Sequence, residues 1–115
     1  MAVSLEKIQR WVKRKNSKKI INVLNDDDYE TRINAIRALS NFNSLDVINQ
    51  LVSLLRDPNS EIRLTAVQTL GEIGSGKATE FIRFMLEKEE DDKVVEAGKK
   101  ALVSIREKVE LEENA

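Results

Sequence analysis

A fixed spacing of 31 residues runs through this chain, and it limits the possible folds more than any single residue does. Displaced by 31, Leu24, Asp26, Glu30, Arg32, Ala35 and Leu39 fall on Leu55, Asp57, Glu61, Arg63, Ala66 and Leu70. Ile36 falls on Val67, and Phe42 on Ile73. Each copy reads as the apolar end of one helix, an acidic turn, and a second helix with a spaced apolar stripe. A shift of 32 adds another copy, placing Ile62, Ala66, Leu70 and Ile73 on Val94, Gly98, Leu102 and Ile105. The extra residue falls in the acidic turn Glu87–Asp92, where lengthening costs little. Gly98 keeps the small-residue position of Ala35 and Ala66, which lets two helices approach closely. Shifted backward by 31, Ser4, Leu5, Ile8 and Trp11 fall under Ala35, Ile36, Leu39 and Phe42. The N-terminal segment therefore reads as the second helix of a half-repeat whose first helix is missing.

The apolar spacing is helical. Ile62, Ala66, Val67, Leu70 and Ile73 share one face at a period near 3.6 and do not alternate as a strand would. The pattern predicts helices near 4–14, 17–25, 28–42, 45–56, 59–73, 77–88 and 92–111. Asp57-Pro58-Asn59-Ser60 ends one helix and caps the next. Gly74-Ser75-Gly76 supplies a C-terminal cap and a turn. The run Asp26-Asp27-Asp28 puts carboxylates where a helix macrodipole favours them. A helix pair of this kind cannot bury its stripe alone and must stack on its neighbour. The expected fold is all-α: a short right-handed α-α superhelix of about seven helices. It forms one domain over 1–115, divided into a half-repeat 4–14 and repeats at about 16–43, 45–74 and 77–111.

Composition narrows the chemistry. Hydrophobic residues make up 41 % and charged residues 34 %, a globular rather than a disordered balance. The chain has no Cys and no His. Disulfides, thiolate chemistry, imidazole bases and the usual zinc ligand sets are thus unavailable to it. Carboxylates alone could hold a metal, and only a hard cation. The acidic runs Asp26–Asp28 and Glu87–Asp92 lack the ligand spacing and turn glycine of a calcium loop, so they read as solvated turns. Gly74-Ser75-Gly76-Lys77 lacks the spacing of a phosphate loop and reads as a turn. No metal, no cofactor and no enzymatic activity are expected. No apolar run reaches membrane-spanning length and no leader pattern opens the chain, so the expectation is a cytoplasmic protein without membrane contact.

Residues 54–74, Leu-Leu-Arg-Asp-Pro-Asn-Ser-Glu-Ile-Arg-Leu-Thr-Ala-Val-Gln-Thr-Leu-Gly-Glu-Ile-Gly, closely resemble the HEAT-like repeats of the phycobilisome-lyase type. Residues 23–42 match that pattern less fully, and 85–105 match it with one insertion and Val95 in place of the Arg. The resemblance covers roughly 16–109, with the weak half-repeat in front. It implies a helical solenoid and a binding surface rather than one particular function. It also implies that Asp26, Asp57, Arg32 and Arg63 form a ladder linking adjacent repeats, not catalytic carboxylates with an Arg clamp. The hydroxylase branch of such repeats holds iron through His-Glu pairs, which a chain without His cannot supply.

Two surfaces stand out as sites. The positions between buried residues of each second helix form three columns: Asn34, Arg37 and Asn41; Thr65, Gln68 and Glu72; Ala97, Lys100 and Ser104. Their mixed polar character suits a protein partner more than a small-molecule pocket. The predicted partner-binding residues are Asn34, Arg37, Asn41, Thr65, Gln68, Glu72 and Lys100. The alternative is a nucleic acid or an acidic partner held by Lys7, Arg10, Lys13, Arg14, Lys15, Lys18 and Lys19. Residues 1–20 carry a net charge of +6, against −3 over 21–85 and −4 over 86–115. Val95, Val103, Val109 and Leu111 add apolar positions to the last helix, so a homodimer through a terminal helix is a further expectation.

Overall fold

The structure is a computed structural model describing residues 3–115; the reading of the extreme N-terminus touches Met1 and Ala2, which lie outside them. Among the described residues seven α-helices follow one another: α1 Leu5–Lys13, α2 Ser17–Asn22, α3 Tyr29–Ala38, α4 Leu45–Leu54, α5 Ser60–Ile73, α6 Thr79–Lys88 and α7 Asp92–Glu113. Short 3₁₀ turns, Leu39–Asn41 and Gly76–Ala78, extend α3 and precede α6. Each start has a local cause. Ser4, Asn16, Asp28, Ser44, Asn59 and Asp91 accept backbone N–H groups at the starts of α1 to α5 and of α7, satisfying donors a helix leaves unpaired. At α3 the Asp28 carboxylate also accepts the Thr31 hydroxyl at 2.9 Å.

Helices α2 and α4 end earlier than the apolar pattern suggests, and for one repeated reason, whereas α5 and α6 end where expected and α7 runs two residues further. Leu24 N–H donates to the Ile21 carbonyl and Asp26 N–H to Val23; 31 residues on, Leu55 donates to Val52 and Asp57 to Leu54. These tight turns close α2 and α4 before 25 and 56 and carry the chain into the acidic turn. The α5 end is the glycine stop: Gly74 has φ 75°, and its N–H donates to the Leu70 carbonyl. Lys108 Nζ donates to the Ile73 carbonyl at 2.7 Å, so α7 satisfies the end of α5.

The helices stack in two layers. Helices α1, α3, α5 and α7 touch in succession, while α2, α4 and α6 back them. The molecule measures 40 × 37 × 18 Å, its least dimension being that of two helix layers. The core between them is aliphatic, with Ile8, Ile20, Ile36, Leu39, Leu51, Ile62, Leu70, Ile82 and Ile105 fully buried. The tightest crossing is α5 on α7. A Cβ on Gly71 would lie 3.0 Å from both the Cα and Cβ of Ala101. Gly98 does the same for α6, where a Cβ would lie 2.8 Å from Leu86 Cδ2. Leu5 departs from its register: it is 48 % exposed where Ile36 is buried, because no first helix covers that side of α1 among the described residues.

An arginine ladder fixes the register of the stack. Arg32 Nε donates to the Leu24 carbonyl at 2.7 Å, and its Nη2 reaches Asp57 at 3.0 Å. One repeat later, Arg63 grips Glu89 with two parallel bonds of 2.8 and 3.0 Å, and its Nη1 donates to the Asp57 carbonyl at 2.8 Å. The acids at 57 and 89 also accept the N–H two residues on, at Asn59 and Asp91. The rungs are therefore Arg32–Asp57 and Arg63–Glu89. Asp26, expected as a ladder acid, instead accepts the Asp28 N–H at 2.8 Å. Glu89, expected as part of a solvated run, is the ladder acid of the third copy, and its side chain is only 4 % exposed. Val95 stands where a third Arg would be.

The Arg63 hydrogen bonds hold the Glu89 carboxyl below the ordinary glutamate range, against the opposing effect of burial. The same bonds raise the Arg63 guanidinium further. A carboxyl with a lowered folded-state pKa stabilises the fold fully above the ordinary glutamate range. That contribution is lost as pH falls through the lowered value. Glu89→Gln should therefore cost about 2 kcal/mol at neutral pH. The gap to the parent should close as the buffer is taken below about pH 4 in urea titrations. Gly71→Val should destabilise by about 2 kcal/mol, since the α7 backbone opposite cannot yield. An unchanged urea midpoint for that variant would show that α5 and α7 do not approach as described.

Candidate interaction surfaces

Helix α5 is enclosed by neighbours, and this decides which of its residues can face a partner. It contacts α3, α4 and α7, and its buried set includes Ile62, Thr65, Ala66, Val67, Thr69 and Leu70. Thr65, predicted to face a partner, is only 2 % exposed. Its hydroxyl donates to the Glu61 carbonyl at 2.8 Å, which lets it sit inside without an unpaired polar atom. Thr65 is withdrawn from the site for that reason. Ala97, in the same row, is also buried.

Gln68, Glu72 and Lys100 are exposed, and one groove of about 610 Å³ between α5 and α7 gathers all three. Its floor is made of small residues, Gly71, Ala97 and Ala101, a consequence of the close α5–α7 crossing. Its rim alternates in sign. Lys93 and Glu96 join the three predicted residues, and Glu96 pairs with Lys100 at 3.4 Å. Lys93 and Glu96 were missed by the column pattern. Their spacing of seven and four residues before Lys100 was the available signal, since it puts all three on one helical face. Ser104 also lines the groove. The α3 members stand apart from it: Asn34 is half-buried, Arg37 is exposed, and Asn41 turns back to donate to the Ala38 carbonyl at 3.0 Å.

The first-helix layer carries a groove that the sequence did not indicate. It lies between α4 and α6, measures about 960 Å³ and is floored by Val52, Leu55 and Met85. Phe81 and Phe84 line it while remaining 48 % and 46 % exposed. Arg56 and Lys88 sit over the Phe84 ring at 6.0 and 4.5 Å from its centre. The Arg63–Glu89 rung and the Asp91 cap close one end. Phe81 and Phe84 fall outside the repeat alignment, so periodicity gave them no role; their spacing of three on one helix was the only hint.

The seven cations of residues 7–19 are all exposed. Among the described residues none of them lies within ion-pair distance of a carboxylate, whereas Arg32, Arg63, Arg83 and Lys100 are all paired. Trp11 is half-buried against the core, with Lys7 Nζ 5.7 Å from its ring centre. Among the described residues, no cluster of three or more carboxylates has the geometry to hold a metal ion. No helix there is long and apolar enough to cross a membrane.

A family profile described as HEAT repeats matches residues 17–103. Among solved structures, the chain is similar to an engineered protein solved in crystal form, a Northeast Structural Genomics Consortium target. The identity is 25 % and the TM-score 0.59, with 90 % of this chain covered. The chain spans about half of that structure's length, 51 %. No curated protein matches the chain. HEAT repeats generally mediate protein–protein interaction or scaffolding. With the profile spanning most of its length and a two-layer helical stack beneath it, this chain belongs to the HEAT-repeat family.

Proposed function

We propose that the chain is a non-catalytic, cytoplasmic interaction module that holds a segment of a partner protein on its second-helix face. The observation that carries this reading is the α5–α7 groove, where Gln68 and Glu72 from one helix meet Lys100 from the next. A small-residue floor lets a partner side chain or backbone come close. A rim of alternating charge fixes its register and rejects partners of the wrong pattern. The occupant this chemistry fits is a segment of mixed charge, with a cation near Glu72 and an anion near Lys93. The absence of His and Cys from the sequence supports the non-catalytic reading, since the commonest bases and nucleophiles are missing. The lyase-type likeness of residues 54–74 rests on the sequence resemblance alone and brings no pigment chemistry to this reading. The division into a half-repeat and three repeats is supported by α1 lying against α3 as α3 lies against α5.

The exposed phenylalanine pair favours a second reading, in which the first-helix groove is the anchor. Aromatic side chains in a partly desolvated pocket supply most of the binding energy of protein interfaces. The matching partner would insert an apolar side chain beside Phe81 and Phe84 and place a carboxylate near Arg56 or Lys88. One experiment separates the two. Partner capture from native extract, quantified by mass spectrometry, should fall at least about tenfold for Lys100→Glu, with helical circular dichroism and melting unchanged. Phe81→Ala combined with Phe84→Ala should leave capture intact. Loss with the phenylalanine pair and not with Lys100→Glu moves the site to the first-helix layer. A homodimer through a terminal helix would draw on Leu111, which is 72 % exposed, and on Val103. Sedimentation of Leu111→Glu beside the parent tests it: equal masses at every concentration would remove the homodimer.

A further inference from the structure

We infer that the N-terminal end of the stack, formed by α1 and the first turn of α2, binds the phosphate backbone of double-helical nucleic acid without reading its sequence. Helix α1 turns Ile8 fully inward. At about 100° per residue, Lys13, Arg10, Arg14 and Lys7 then lie at roughly 140°, 200°, 240° and 260° from Ile8. Four cations thus share one outward arc; Glu6, the only acid on the helix, falls at roughly 160° within it and leaves the arc a net charge of +3. Lys15, Lys18 and Lys19 continue the run around the turn. All seven are exposed and none is ion-paired among the described residues.

The turn adds an observation independent of charge. Lys15 has φ 58°, the only positive φ among the non-glycine residues described. It closes α1 in a Schellman arrangement, with the Lys15 N–H donating to the Val12 carbonyl at 3.0 Å and the Asn16 N–H to Trp11 at 2.8 Å. Gly or Asn is the residue that position favours, because a Cβ there crowds the following carbonyl. The lysine side chain returns nothing to the fold, being exposed and without an ionic partner. The left-handed backbone serves the cap, but a lysine side chain there adds strain without a structural return, which points to a use outside the fold.

The surroundings select the ligand. A protein interface needs a desolvated apolar anchor, but the exposed Leu5 lies at roughly 60° from Ile8, off the cationic arc. A bilayer would need the apolar side of α1, which is already committed to the core through Ile8, Trp11 and Val12. A duplex needs only cations spaced like neighbours on a helix face, about 5–6 Å, each releasing condensed counterions. The net charges of −3 and −4 over the rest of the chain repel the same backbone and direct this end toward it.

Fluorescence anisotropy of the full chain with a labelled mixed-sequence DNA duplex tests this. Binding is expected at about 50 mM salt, equal for unrelated sequences, with log K falling against log salt at a slope of about −4 to −6. The triple variant Lys13→Glu, Arg14→Glu, Lys15→Glu should bind at least about 30-fold more weakly with its circular dichroism unchanged, while Lys77→Glu binds as the parent does. Lys15→Gly should move two readouts in opposite directions: a melting temperature higher by about 4 °C and a duplex affinity lower by about threefold. No binding at low salt, a slope shallower than about −2, or a triple variant that binds like the parent would overturn the inference. So would capture by phosphatidylserine vesicles under conditions where the duplex is not bound.

Discussion

No second helix in this chain buries its apolar stripe alone: each needs a neighbouring second helix beside it and the first-helix layer behind it. Ile36 and Leu39 of the third helical segment, Val67 and Leu70 of α5, and Ile105 of α7 are all buried, and together they form one continuous core. A core assembled this way has a weakness. A short aliphatic stripe repeated every turn could slide past its neighbour by one turn and still be covered. The arginine rungs remove that freedom. Arg63 meets Glu89 with both of its forks while also holding the Asp57 carbonyl, so a slip of one turn would break all of these bonds together. These largely buried pairs repay much of their attraction in lost hydration, and their larger effect here is to specify register.

The legibility of the sequence follows from that arrangement. The repeat, the helices and their starts were readable because periodicity and capping residues act locally: Asn59 and Asp91 cap α5 and α7 whatever lies beyond. The sidedness of residues was readable where a helix has one open flank, as at Lys100, and unreadable where it has none, as at Thr65. A threonine that can donate to its own helix, as Thr65 and Thr69 both do, carries no polar signature of exposure. Glu89 was hidden for a different reason. It sits among four other acids, and only the partner arginine 26 residues earlier distinguishes it from them. The Phe81–Phe84 groove was hidden because the first helices repeat less strictly than the second, so their outer faces have no register to depart from.

The layering also separates the three surfaces physically. The α5–α7 groove exists because Gly71 and Ala101 bring two helices together, leaving a floor too shallow for side chains of its own. The α4–α6 groove exists because the first-helix layer is spaced by the second and cannot close as tightly. Its aromatics lie over the gap with Arg56 and Lys88 shielding one of them. At the basic end, α1 packs on α2 and α3 among the described residues, and its outer arc carries the charge.

That difference in origin bears on what each surface can tolerate. The grooves are by-products of helix crossings, so a change in either is coupled to the packing beneath it. Gly71, Ala97 and Ala101 serve the crossing and the groove floor at once. The basic arc is coupled less: its side chains point away from Ile8 and form no ion pair among the described residues, and Lys7 alone lies over a core-packed ring, Trp11. Its exposed cations contribute little to stability, and replacing Lys15 by glycine would gain some. A surface whose composition the fold does not require, and at one position disfavours, owes that composition to something the fold does not contain.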